Sequence, residues 1–200
     1  MWLIQRQPVK FITVNSKEWA PMFNYKKGEL STPAFQWDLI WITVREPNEN
    51  ADFPSINMAF IDDDCERWVI SLWFNSIATS VINSLAWAMD SKMDMKNMTL
   101  VLYTKNDFPR CSLKIWGQAT PWKYDMAKLN WMTKKVKVNG KEVTDREKLN
   151  DFLREVIKEI DGYLKKIYWE DSAEELVNNI EESINEPETK DASDEDFLPF

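Results

Sequence analysis

Two hundred residues, 44% of them hydrophobic, suffice for one domain with a core that needs no covalent staples. There is no histidine and there are only four glycines, which excludes histidine-based triads, histidine zinc sites and glycine-rich phosphate loops. The net charge of −8 is unevenly placed: residues 167–200 hold one lysine and twelve acids, leaving 24 cations and 21 acids in the first 166.

Val9 to Val14 reads as a first strand, and Ser16 to Glu29 as an irregular connection. Phe35 to Val44 is the clearest strand; strict alternation puts Phe35, Trp37, Leu39 and Trp41 on one face and begins the other with Gln36 and Asp38. Ile56, Met58 and Phe60 alternate before Asp62-Asp63-Asp64 turns the chain into Arg67 to Phe74, a hairpin signal. Trp37, Trp41, Phe60, Trp68 and Trp73 are expected in the core. Asn75 caps a helix of about fifteen residues in which Ile77, Val81, Leu85 and Ala88 recur at helical spacing.

Strands follow at Met98 to Lys105 and Cys111 to Gln118, joined by a turn at Asn106 to Pro109. Asn139-Gly140 favours a type I′ turn in a hairpin from Lys134 to Val143. Thr144 and Glu147 form a capping box for a long helix to about Tyr168. Its stripe of Leu149, Leu153, Val156, Ile160, Tyr163 and Ile167 is expected to pack on the barrel, with a homodimer seam as the alternative. Ser172 and Glu175 repeat the capping signal for a short acidic helix, and disorder is expected from about Asn185. Strands, a helix and more strands give the order of an OB-fold, a small barrel whose open face often binds oligonucleotides. The expected fold is therefore mainly β: an OB-like barrel with one internal helix (residues 1–143), C-terminal helices (144–184) and a disordered acidic tail (185–200).

Single strands are held by cations along the phosphates and aromatic rings under the bases. Residues 109–141 contain eight basic residues and a single acid, Asp125, interleaved with aromatics. The candidate nucleic-acid contacts are Arg110, Lys114, Trp116, Trp122, Lys123, Tyr124, Trp131, Lys134, Lys135 and Lys137, with Tyr103 and Lys105 sharing a face of the preceding strand. Lys114 and Trp116 are expected together, opposite Cys111, Leu113 and Ile115. Asp62, Asp63, Asp64 and Glu66 suit a hairpin turn; as Mg²⁺ ligands they would make a nuclease. Cys65 has no visible base or cationic partner and reads as an ordinary thiol.

The chain finishes on Ser193-Asp194-Glu195-Asp196-Phe197-Leu198-Pro199-Phe200, acids running into apolar side chains. Such a tip suits a short linear motif, with Leu198 and Phe200 for a partner's pocket and the acids for a basic rim. It resembles the C-terminal tip of single-stranded DNA-binding proteins from bacteria and their phages. The compact phage forms are the nearer comparison, because Phe197 replaces an acid of the bacterial tip and a long helix replaces its Gly/Gln-rich linker. The resemblance implies a non-enzymatic protein that binds single-stranded DNA in replication, recombination and repair. It also implies that Asp194, Glu195, Asp196, Phe197, Leu198, Pro199 and Phe200 recruit a polymerase, helicase or primase. A virion assembly protein with a docking tail is the third class kept open. No cofactor, metal or membrane is called for. Cys65 and Cys111 form no CxxC pair, so a reduced chain is expected, one disulfide being the alternative. No signal peptide or spanning segment is read, so a cytoplasmic location is expected, the host's if the chain is phage-encoded.

Overall fold

The computed structural model describes residues 10–15, 22–25, 31–47, 53–63, 65–105 and 108–170. The acidic segment Asp194–Phe200, the expected helix from Ser172 and the expected disorder lie outside the described residues. The elements are β1 (Lys10–Asn15), β2 (Met22–Tyr25), β3 (Ser31–Thr32), β4 (Ala34–Arg45), β5 (Ser55–Ile61), β6 (Arg67–Trp73) and α1 (Ser76–Asp90). They continue as β7 (Met98–Lys105), β8 (Phe108–Ile115), β9 (Gln118–Ala119), α2 (Met126–Trp131), β10 (Lys134–Val138), β11 (Lys141–Asp145) and α3 (Glu147–Lys165). A π-helical turn, Lys166–Glu170, prolongs α3.

Nine strands form one mixed sheet in the order β3-β2-β1-β6-β5-β4-β7-β8-β9, and β10 and β11 form a separate hairpin. All neighbours in the large sheet are antiparallel except β1 and β6. Among the described residues no pairing joins its ends or links β6 to β8. The sheet is open, so the closed OB-like barrel expected from the strand order is not observed. The coarser expectation holds: the fold is mainly β and a long helix follows the strands, but two helices, α1 and α2, lie among the strands where one was expected. Met22–Tyr25, expected to be irregular, pairs with β1 as a strand.

The long strand β4 serves two neighbours, pairing with β7 through Ala34–Trp37 and with β5 from Asp38 onward. Its register shifts between Leu39 and Trp41, so Leu39 lies opposite Phe60 and Ile42 opposite Met58. Such a bulge reverses the two-residue alternation. Leu39 and Ile42 are therefore both fully buried, whereas Trp41 is 37% exposed and not in the core.

The β5–β6 turn is built by Asp62. Its Oδ1 accepts from the Glu66 amide (2.8 Å) and its Oδ2 from the Trp68 indole (2.7 Å). Beside it, Glu66 pairs with Lys10. Asn139 and Gly140 adopt the positive φ, 50° and 77°, that the β10–β11 turn requires. Trp116 (φ 52°) and Gly117 (φ 75°) do the same between β8 and β9, ending β8 at Ile115. The expected strand to Gln118 is thus split, and Trp116 stands in a turn, not beside Lys114.

One face of the sheet carries the core: Phe35, Leu39 and Ile42 of β4, Met58 and Phe60 of β5, Leu100 of β7, and Cys111 and Leu113 of β8. Helix α1 packs on β8, and α3 packs on β4 and α1. Every residue of α1 from Ile77 to Ala86 is buried, as expected of a helix enclosed on all sides. Its buried Asn83 and hydroxyls therefore need internal partners. Asn75 Oδ1 caps α1 by accepting from the Ile77 and Ala78 amides, as the sequence suggested. Leu149, Leu153, Val156 and Ile160 of α3 belong to the same buried cluster as the sheet. The expected Thr144–Glu147 capping box is not formed. Instead, Asp145 Oδ1 accepts from the Glu147 amide, and Arg146 occupies the cap position with no side-chain cap bond.

Candidate functional site

A cavity of about 490 Å³ opens where the tips of β7 and β8 meet α2 and the first turns of α1 and α3. Register sets Tyr103 opposite Arg110, and both line it with Lys105, two residues along β7. The Ser76 hydroxyl donates to the Pro109 carbonyl at 2.9 Å, fixing the start of α1 to the start of β8. On the far wall, Arg146 Nη2 donates to Thr79 Oγ1 at 3.1 Å. Arg146 Nε is buried without a hydrogen-bond acceptor, and burial lowers the guanidinium's pKa.

Trp122 lines the same cavity at 40% exposure. Its loop is held by α1: Asn83 Oδ1 accepts from the Tyr124 amide (2.7 Å), and Asn83 Nδ2 donates to the Tyr124 carbonyl (2.9 Å). Asp125 Oδ1 then caps α2 through the Ala127 amide at 2.8 Å. Three cations, two aromatic rings and several hydroxyls thus surround one space, and none of its described lining residues is acidic. Chemically this suits a phosphate with an attached flat ring.

Four of the twelve expected contacts, Tyr103, Lys105, Arg110 and Trp122, meet in this cavity. Lys123 and Tyr124 are turned to internal contacts. Lys123 is half-buried and pairs with Asp90 at 2.9 Å. Burial opposes its charge, but hydrogen bonds to Asp90 and Tyr124 outweigh that and raise its pKa. Tyr124 packs edge-on against Phe152, 4.9 Å between centroids. Lys134 pairs with Asp145 (3.3 Å) and Lys135 with Glu142 (2.9 Å), while Lys137 is exposed on the same hairpin. Lys114 is half-buried opposite Thr99; Trp116 is exposed in its turn, and Trp131, at the end of α2, is 89% exposed. None of these lines the cavity.

Sequence reasoning missed Arg146, although a signal for it exists. A cation at a helix start opposes the macrodipole, and a broken local rule is where function is often found. It also missed two exposed rings at the ends of one cross-strand row. Phe11, Val69, Ala59 and Trp41 are successive register partners across β1, β6, β5 and β4, and both end rings are exposed. Trp73, expected in the core, is 68% exposed and lies 6.4 Å from Phe53. By contrast Phe60 is buried, and Trp37 and Trp68 are half-buried and stacked at 4.8 Å.

Asp62, by serving two donors in its turn, acts as a structural carboxylate. Cys65 is exposed and Cys111 buried, both as free thiols. No described helix is long and apolar enough to cross a membrane. Comparison with protein-family models, curated proteins and solved structures finds no match.

Proposed function

We propose that this chain binds single-stranded DNA without sequence preference during replication, recombination and repair. We also propose that its acidic segment, Asp194–Phe200, recruits replication proteins. The observation that carries the DNA reading is the cavity, which joins Tyr103, Lys105 and Arg110 to Trp122 and Arg146 from distant parts of the chain. Cations and stackable rings in one concave site are what a strand needs when its sequence is not read. The recruiting role rests on the sequence of the segment.

Strand connectivity supports the same reading. The run β6-β5-β4-β7-β8, with α1 between β6 and β7, has the order of a five-stranded OB barrel parted between β6 and β8. In OB-folds the second and third strands and the loop before the last strand contact oligonucleotides. Here the second and third strands are β5 and β6, with Trp73 at the end of β6, and the loop before the last strand is flanked by the Tyr103–Arg110 pair of β7 and β8.

A titration with poly(dT) at low salt, followed by tryptophan quenching, tests the proposal. Saturable quenching that weakens as salt rises is expected. Absence of binding at low salt would overturn it and favour an assembly protein. The nuclease alternative has weaker support because both Asp62 oxygens are engaged within the turn.

A further inference from the structure

We propose that the cavity holds a phosphomonoester, the terminal phosphate of a strand end or of a mononucleotide, and not only the diesters of a passing strand. The inference deepens the strand-binding reading and rests on it for the stacking of the base.

Charge is the first argument. Lys105, Arg110 and Arg146 converge on one cavity, and among the described residues none is ion-paired with a carboxylate. A diester brings one negative charge, whereas a monoester carries about −1.5 to −2 at pH 7. Three cations match the latter better.

Arg146 supplies the second argument. Thr79 occupies its Nη2, but Nε is buried without an acceptor. A buried donor on a charged group is costly when unmet, and a guanidinium fork matches the oxygens of a phosphate. The first turn of α1 adds little, because the Ile77 and Ala78 amides already donate to Asn75.

Size is the third. About 490 Å³ falls in the range of small-ligand sites, of order 300–1,000 Å³. It suits one nucleotide, with Trp122 or Tyr103 for the base and the cations for its phosphate.

The test uses the full chain and short oligo(dT) bearing a 5′-phosphate, a 3′-phosphate or hydroxyls only, read by fluorescence anisotropy. One phosphorylated end should bind about tenfold more tightly than the hydroxyl form. The gain should shrink below about pH 6, where the monoester dianion takes up a proton and becomes a monoanion. In competition, dTMP should displace the oligonucleotide where thymidine does not. Arg146→Gln should bring the ratio between phosphorylated and hydroxyl ends toward one within that variant; if it fails to fold, Arg110→Gln carries the same test. Equal affinity for all ends with no competition by dTMP overturns the inference and leaves strand binding standing. Binding of dTMP without binding of any oligonucleotide upholds the pocket and removes the strand reading. Failure of both removes both.

Discussion

Asn83 and Tyr124 are joined twice, amide to side-chain oxygen at 2.7 Å and side-chain nitrogen to carbonyl at 2.9 Å. The Asn83 carbonyl also accepts from the Lys123 amide at 3.3 Å. A single buried asparagine on α1 therefore sets the loop that presents Trp122. Asn83→Ala should cost about 1–3 kcal/mol of stability in urea unfolding, because it orphans two backbone groups. It should also weaken DNA binding, and combining it with Trp122→Ala should add little further loss of affinity, since both act through one ring. Fully additive losses would place the role of Asn83 elsewhere.

The exposed tryptophans separate by position. Trp122→Ala should lower affinity for oligo(dT) by about 1–3 kcal/mol with little change in melting temperature, as a stacked ring would. Trp131→Ala, outside the cavity and almost wholly in solvent, should change neither. The reverse pattern would move the binding surface from the cavity to the end of α2.

Salt dependence should reflect the cations that have no carboxylate partner. Lys105, Arg110, Lys114, Lys137 and Arg146 form no ion pair among the described residues, whereas Lys123, Lys134 and Lys135 do. Five contacts give a log–log slope of about −3.5, at roughly −0.7 per phosphate. Lys105→Gln should reduce the slope by about 0.7, and Lys135→Gln by much less, because Glu142 already balances that lysine. A flat salt response would exclude phosphate contacts.

Burial pushes the Cys111 thiol up to about 12. A raised pKa in the folded state means that stability is whole below the unfolded value, about 8.5, and is lost as pH rises toward 12. Unfolding free energy should therefore fall over that window, and Cys111→Ala should make the fall shallower. In native protein a thiol reagent should label Cys65 alone. Rapid labelling of Cys111 without unfolding would contradict its placement.

Removing residues 186–200, which hold six acids and one lysine, should tighten DNA binding several-fold at low salt. A tethered acidic segment acts at an effective concentration of about millimolar, enough for weak contacts to compete with phosphates. The gain should fade as salt screens those contacts. Weaker or unchanged binding at every salt concentration would end the autoinhibitory reading.

Where local chemistry decides, the sequence was informative. Asn75 caps α1, Asn139-Gly140 turns β10 into β11, and Asp62 closes the β5–β6 hairpin, each through its own near neighbours. Trp41 was misplaced because alternation assumes an unbroken period, and the bulge beside it has no glycine or proline to mark it. Trp116 went astray because its turn places a bulky residue at positive φ, which propensity argues against. The basic run at 109–141 looked freer than it is, since Asp90, Glu142 and Asp145 reach it from outside that window. A cation at the start of α3 marks Arg146 as unusual, and its contact with Thr79 of α1 places it at the site. Caps and turns at Asn75, Asp62 and Asn139-Gly140 thus read well, whereas the Thr144–Glu147 box, the bulge beside Trp41 and the contacts across long separations did not.

The parallel pairing of β1 with β6 bears on the order of folding. It matches Lys10 with Trp68 and Ser71 with Thr13, residues nearly sixty positions apart, and β2 and β3 hang from β1 alone. The β4–β5–β6 meander closes through short connections, so its chain entropy is lost in small steps. The N-terminal ribbon has no edge to join until β6 exists, and contacts of such separation slow the search. Assembly should run from the meander outward, with β1, β2 and β3 last to dock. The β6 edge would stay bare in the interval, making it the point at which an unfinished chain meets another.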